Sequence, residues 1–479
     1  MLLATLIVGR VGGQPPVQPA KTKPVESLST ASAPKPVLSP VALPSLFKLL
    51  RYEEDWSALR DSINPLNWLK YVPLRDRDQW YLSVGGELRL RYEQYTNIQW
   101  GQNEPGTDGY GQQRYLLHTD WRLGRHLRVF GQLSSSLENG RRGKPLPINV
   151  NQFDVSQFFM EVEFDLGENQ SVVLRGGRQE IVLGSARLVG MREPLNVRRG
   201  FDGLRIIAKA GAWRVDGLLV RPVQTKTGGF DDAPDRNQTF WGAYAIGPWQ
   251  WVKGGGIDLY YLGLNRPSGR FDQGTAREVR HSVGTRLWGR HGGWDHSTEM
   301  VYQVGRFGEG NVRAWAGFTE VGYSPDLARV RPRFGLRAEV SSGDRNRLNP
   351  NLQTFNALYP RGAYLLEPAL VGPFNHLLLD PMLEAKIRNK VRVIADAGFF
   401  WRYSLDDGLY TNAVVPERSG QASRSRYVGV QPELTVQWRM SQHLTWVGLL
   451  THFTTGPFLR ETGPVRPITY VATWISFTF

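Results

Sequence analysis

The 479-residue chain contains no cysteine, eight histidines and six methionines. Without cysteine there is no disulfide framework and no thiolate metal site, and such a chain suits a bacterial periplasm or outer membrane as well as a cytosol. The few histidines form no recognisable Ser-His-Asp order. No glycine-rich phosphate motif follows a strand pattern, so neither the sequence order nor its motifs point to an enzyme. No run of 18 apolar residues occurs, which excludes a transmembrane helix but not strands that cross a membrane, since these are short and alternate. Acidic residues are the minority: 58 basic against 44 acidic side chains leave a net charge of +14, which favours anionic partners. The charges are spread evenly instead of clustering with stacking aromatics, which argues against a nucleic-acid partner.

What is present divides the chain. Residues 1–13, "MLLATLIVGRVGG", read as an imperfect secretory signal, with an apolar core but neither a basic lead nor an A-x-A cleavage site. Residues 14–44 hold eight prolines and read as an extended linker. Residues 45–79 read as a short helical or irregular segment. Within it, Leu46, Leu49, Leu50, Trp56, Leu59 and Ile63 recur at helical spacing and predict one amphipathic helix over 46–63.

From residue 80 the period becomes two. In "GGELRLRYEQY" (85–95), Glu87, Arg89, Arg91 and Glu93 fall on one face and Leu88, Leu90 and Tyr92 on the other. The same alternation sets Arg333, Arg337 and Glu339 against Phe334 and Leu336. It also sets Arg392, Asp396 and Arg402 against Val393, Ala395 and Ala397. Short connections at 123–126, 165–170, 210–212, 247–250, 289–293, 324–331, 388–390 and 439–443 alternate with long ones, among them 96–111, 138–154, 181–199, 223–237, 263–276, 343–378, 405–424 and 456–466. Eight hairpins plus a first and a last strand give eighteen strands, an even number that closes antiparallel. Trp121, Trp213, Trp249, Trp251, Trp288, Trp294, Trp438 and Trp446 gather at the short-turn end, as an interfacial girdle does, and the chain ends in the aromatic-terminated strand "YVATWISFTF". The fold class is therefore all-β: a transmembrane antiparallel barrel over 80–479, apolar towards lipid and charged towards a lumen wide enough to hold water.

Following the pleat, the inward bases are Arg89, Arg91, Arg114, Arg122, Arg128, Arg175, Arg205, Lys209, Arg214, Arg280, Arg286, Arg333, Arg337, Lys386, Arg388, Arg392 and Arg402. The inward acids are Glu87, Glu93, Asp120, Glu161, Glu163, Asp216, Glu299, Glu339, Glu384, Asp396 and Glu433. Guanidinium forks match carboxylates. Part of this set pairs wall to wall, and the basic excess is what selects anions.

The stretch "GRQEIVLGSARLVGMREPLNVRRGFDG" (177–203) resembles the alginate export (AlgE-like) family of outer-membrane proteins. So do "FDDAPDRNQTFWGAYA" (230–245), "SSGDRNRLNPNLQTFNALYPRGAYLLEPALVGPFNHLLLDP" (341–381) and "THFTTGPFLRETGP" (451–464). The resemblance covers about residues 80–479. It implies an eighteen-stranded barrel in the outer membrane of a Gram-negative-type bacterium, with an electropositive pore passing an anionic uronic-acid polymer. It further implies pore arginines with acidic partners: Arg192 and Glu193 of "MRE" as a constriction in the 181–199 connection, and Arg178 and Glu180 of "GRQE" where that connection begins.

The function expected is thus a channel for an acidic polysaccharide, with a porin for small anions as the alternative. The partners expected are an anionic solute, outer-membrane lipid and periplasmic export components; no cofactor is expected. Asp231, Asp232 and Asp235, or Asp406 and Asp407, are weak candidates for Ca²⁺, since acidic loop clusters are more often solvated turns.

Overall fold

The computed structural model describes residues 47–60, 68–74, 80–102, 106–251, 254–327, 330–363 and 365–479. The signal and the linker expected over 1–44 lie outside these residues.

Eighteen strands form the wall: β1 Trp80–Thr96, β2 Thr107–Leu123, β3 Leu127–Asn139, β4 Asn151–Gly167, β5 Gln170–Gln179, β6 Phe201–Ala210, β7 Trp213–Gln224, β8 Thr239–Pro248, β9 Gly255–Phe271, β10 Gly274–His291, β11 Trp294–Phe307, β12 Gly310–Tyr323, β13 Val330–Ser341, β14 His376–Ile387, β15 Val391–Arg402, β16 Tyr427–Arg439, β17 Leu444–Thr455 and β18 Ile468–Thr478. Each pairs antiparallel with its sequence neighbours, and β1 pairs with β18 (Glu87 opposite Thr478, Tyr95 opposite Tyr470), so the sheet has no free edge.

The two faces follow the alternation. Glu87, Arg89, Arg91 and Glu93 are buried inside, whereas Leu90 and Tyr92 are 45% exposed on the outside. Arg333, Arg337 and Glu339 face in, and Phe334 and Leu336 face out. Apolar side chains exposed all round a closed sheet are what lipid contact requires.

All eight short turns lie on one rim, at 124–126, 168–169, 211–212, 249–254, 292–293, 324–329, 388–390 and 440–443. Most of the expected girdle stands outward there, but Trp288 shares the inward parity of Arg286 and donates from Nε1 to Asp258 at 2.8 Å. Arg388 sits in a turn at φ 49°, so it is not a wall residue.

Two expectations need further correction. The long connection placed at 263–276 is a turn of residues 272–273. Its polar residues belong to β9 and β10, which stay paired through a bulge between Arg266 and Gly269. Polarity imitates a loop there because the strands run on past the length needed to cross hydrocarbon. The helix expected over 46–63 is replaced, within 47–60, by single 3₁₀ turns at Arg51–Glu53 and Ser57–Leu59. This segment packs inside the barrel on several sides at once, so its apolar residues do not need one helical stripe.

Nor is the interior an open cylinder. Connections 180–200, 342–375, 403–426 and 456–467 supply much of the large interior cluster that includes Val189, Phe355, Tyr359, Phe374, Tyr410 and Phe458.

Candidate functional site

The connection 180–200 enters the lumen and is fixed on both flanks. On one flank it meets 342–375: Val189 bridges Tyr359 in parallel, Gly190 N–H donates to Tyr359 O at 2.9 Å, and Tyr359 N–H donates to Leu188 O at 2.9 Å. Glycine lets the two segments approach closely at this crossing, since a Cβ on Gly190 would stand 3.2 Å from the Cα of Arg361. On the other flank the tip is held by the wall. Arg89 donates to Glu193 O and Leu195 O at 3.2 and 3.0 Å, and Arg91 to Pro194 O at 3.0 Å. The Asn196 carboxamide donates to Gln113 O, Leu137 O and Asn149 O at 3.1, 3.1 and 2.9 Å. Wall arginines thus work largely as donors to a backbone that has no ladder of its own.

Ion pairs account for nearly all the remaining inward arginines. Arg114 bonds Glu87 and Glu193, both at 2.6 Å, and Arg198 bonds Glu193 at 2.7 Å. Arg91 bonds Glu93 and Glu367 at 2.5 and 2.6 Å. Arg122 and Arg128 share Asp120 at 3.2 and 2.7 Å, and Arg175 donates to Glu161 at 2.7 Å. Arg205 meets Asp216 at 3.2 Å, Arg333 meets Asp295 at 2.6 Å, Arg337 meets Asp380 at 2.9 Å and Arg392 meets Glu384 at 2.8 Å. Arg402 is wholly buried and caged by carbonyls, the shortest being Ser425 O at 2.6 Å. Arg178 lies one residue off the inward parity of Arg175 and Gln179. It pairs with Asp202 and Asp154 at 2.9 and 3.4 Å at the long-loop end of β5, where the inserted connection begins.

Two arginines differ. Arg192, in the middle of the inserted connection, makes no side-chain hydrogen bond or ion pair among the described residues, and its buried Nε has no acceptor. It holds φ 61°, a left-handed conformation that disfavours a side chain and is retained where surrounding structure imposes it. Burial alone pushes its guanidinium down to about 10, so it remains a cation at neutral pH. Arg199 donates to Gly190 O and Pro360 O at 3.3 and 3.0 Å and lies over the Tyr359 ring, with no carboxylate partner. Burial, then repulsion from Arg192, lowers it. Across from them Glu180 is pushed up to about 7 by burial, against the pull of Arg198 at 3.7 Å.

Sequence reasoning missed the N-terminal segment's place. Residues 47–60 occupy the lumen near the short-turn rim. Arg51 bonds Glu87 at 3.1 Å. Tyr52 donates to Glu180 O at 2.7 Å and packs edge-on against Phe130 and Phe159, with the Arg175 guanidinium 4.2 Å from its ring. Leu50 and Tyr52 share a cluster with Met191 of the inserted connection. The only sequence signal was the apolar spacing itself.

Of the acids considered for Ca²⁺, Asp231 and Asp232 join Asp154, with carboxylate oxygens within 4.8 Å of one another, while Asp235 instead accepts from Asn237 N–H and the Gln238 side chain. Asp407 accepts from Thr354, Tyr410 and the Asp344 N–H and pins a loop. A Ser–His–acid arrangement does occur: Ser341 Oγ lies 2.8 Å from His376 Nδ1, and His376 Nε2 lies 3.6 Å from Glu339. The Ser341 hydroxyl has no exposed surface, so a substrate cannot reach it.

The sequence matches the family model described as alginate export over residues 80–470. No curated protein matches it. Among solved structures, the chain is similar to a BenF-like porin from Pseudomonas fluorescens at 11% identity, with a TM-score of 0.54, covering 83% of this chain and 98% of that one. It is also similar to the Pseudomonas aeruginosa outer membrane protein OpdK (10%, TM-score 0.55, 83% and 98%) and to Pseudomonas aeruginosa OccK8 (11%, TM-score 0.53, 83% and 98%). At such identities the likeness is one of fold.

Proposed function

The chain belongs to the alginate export family and is an outer-membrane channel, and from that premise we propose that it passes an acidic polysaccharide, a uronic-acid polymer, through its lumen. The observation that carries this reading is the pair Arg192 and Arg199: cations without carboxylate partners, set in the inserted connection, inside a wall whose other arginines are mostly neutralised. A passing carboxylate finds a free guanidinium at this one level. Elsewhere it meets pairs that exchange only weakly with it, so it is attracted without being trapped. Selectivity therefore rests on a short stretch, not on a ladder of seventeen bases. Glu193, held by Arg114 and Arg198 at 2.6 and 2.7 Å, limits how many forks a polymer engages at once. Periplasmic export components would deliver the polymer at the short-turn rim.

The runner-up, a channel for small anions, is favoured by the filling of the lumen. The inserted connection leaves only narrow gaps beside it, one lined by Arg114, Glu180 and Arg198 and the other by Arg187, Glu320 and Arg337, and a polymer needs residues 47–60 or the connection itself to move aside. Conductance across planar bilayers decides between them. The polymer reading predicts anion selectivity that fades at high salt, and block by uronate oligomers that strengthens with chain length. Arg192→Ala should weaken the block about tenfold, the loss of one charge-assisted contact. Equal block by monomers and oligomers would favour the small-anion reading, and cation selectivity would end both.

A further inference from the structure

The outer wall carries a second basic feature that the channel does not use. On β9 to β12 the outward residues climb from an aromatic and aliphatic rung, Tyr261, Val283, Tyr302 and Trp315, each paired to the next across the sheet. One rung nearer the long-loop rim stands Arg313, opposite Val304; the next holds Arg306, opposite Val279 and Asn311. Arg277 and then Arg270 follow, towards the turn at 272–273. All four arginines are exposed. None makes an ion pair among the described residues, and the one side-chain hydrogen bond they make there is Arg277 Nε to Asn265 Oδ1, at a marginal 3.4 Å. Glu309, on the turn between β11 and β12, pairs with none of them, and Glu278 on β10 faces inward onto Arg266 and Arg280.

Their height on the wall matters. β9 and β10 have 17 and 18 residues, against the roughly ten that cross hydrocarbon. The turns 272–273 and 308–309 are only two residues long, and residues 347–352 of the connection after β13 lie against them: Gln273 donates to Asn349 O at 2.7 Å and Arg347 pairs with Asp272 at 2.9 Å. The arginines therefore stand just beyond the apolar belt, at headgroup level, in the leaflet on the long-loop side, which faces outward in such barrels. The outward faces of β13 and β14 carry Leu336, Leu379 and Leu383.

We propose that Arg270, Arg277, Arg306 and Arg313 form a binding site on the outer wall for a phosphorylated lipid headgroup of the outer leaflet, its acyl chains lying against Tyr302, Trp315 and Val283. Guanidinium forks take phosphate oxygens in pairs, and neighbouring strands space the four so that one diphosphorylated headgroup spans several. The inference rests on the outer-membrane location and not on what the lumen carries.

The test uses the full chain in phospholipid nanodiscs, with diphosphorylated lipid A as probe and its dephosphorylated counterpart as control, retention being read by native mass spectrometry. Wild-type protein should retain the phosphorylated lipid at least about tenfold better than the control. The triple variant R277A/R306A/R313A should lose that preference while its single-channel conductance stays as in wild type. Inorganic phosphate at the same concentration should not displace the lipid. Equal retention of the two lipids by wild-type protein, which needs no variant to fold, would overturn the proposal. So would full displacement by inorganic phosphate, which would mark a site for the free ion.

Discussion

Glu87 joins three parts of the molecule, and its removal is the most informative single change. Its Oε1 takes Nε and Nη2 of Arg114 at 3.0 and 2.6 Å, while its Oε2 takes Arg51 at 3.1 Å and Arg198 at 3.4 Å. Wall, N-terminal segment and inserted connection thus meet on one carboxylate. Removing one member of a buried ion pair costs about 3–5 kcal/mol, because the partner is left charged and dry. Two features place Glu87→Ala near the lower end, at about 3 kcal/mol. Glu193 still holds Arg114 and Arg198, and Glu54 still holds Arg51 at 3.2 Å. Glu87→Gln keeps an acceptor but not the charge and should cost about half as much. Denaturant unfolding in vesicles, followed by tryptophan fluorescence and by heat-modifiable mobility, measures both. Conductance gives an independent reading: loosening Arg51 frees residues 47–60 from the lumen, so the Glu87→Ala channel should pass more current than wild type. A Glu87→Ala protein within about 0.5 kcal/mol of wild type and equally closed would refute the idea that this carboxylate couples the three parts.

Other outcomes follow from the same geometry. Tyr52→Ala removes the ring that stands edge-on against the stacked pair Phe130 and Phe159, and should raise conductance while leaving the barrel folded, since no strand is touched. A lysine at Ala395, which faces hydrocarbon, should cost about 2–4 kcal/mol of barrel stability. The same lysine at Asp396, which faces the lumen, should cost less; equal costs would mean that the register of β15 is wrong. Glu180, ordinarily near 4.5 and here about 7, binds its proton more tightly folded than unfolded. Its contribution to stability is thus complete below pH 4.5 and lost as pH rises through 7. Stability measured across that window should fall less steeply in Glu180→Gln than in wild type.

Strand faces were legible because a two-residue period admits only two answers, and Glu87, Arg89, Arg91 and Glu93 settle on one of them. The short turns were legible for the same reason, since alternation stops where Gly124, Gly211 and Gly292 reverse the chain. What the lumen contains was not. The inserted connection has no periodicity, and its anchors, such as Glu193 to Arg114 across 79 residues, arise from two segments that share no local pattern. The inward arginines, expected to pair in part wall to wall, also pair wall to loop, which no strand pattern announces. The polar upper halves of β9 and β10 were misread because water and headgroups select the same residues as loops do.

The seam between β1 and β18 also imposes an order of events in time. Phe479 exchanges two backbone hydrogen bonds with Gly86, and Arg51 reaches Thr478 across 427 residues. The first strand therefore has no permanent neighbour on one side until β18 has been made and delivered. Until then β1 and β18 each present an unsatisfied edge, open to any passing strand. Residues 47–60, whose contacts all come from within, have to take their place before or as that seam shuts, or else thread in through the short-turn mouth afterwards. Newly made chain is thus committed as a whole: a truncation of the last strand would leave the N-terminal segment without the enclosure that holds it.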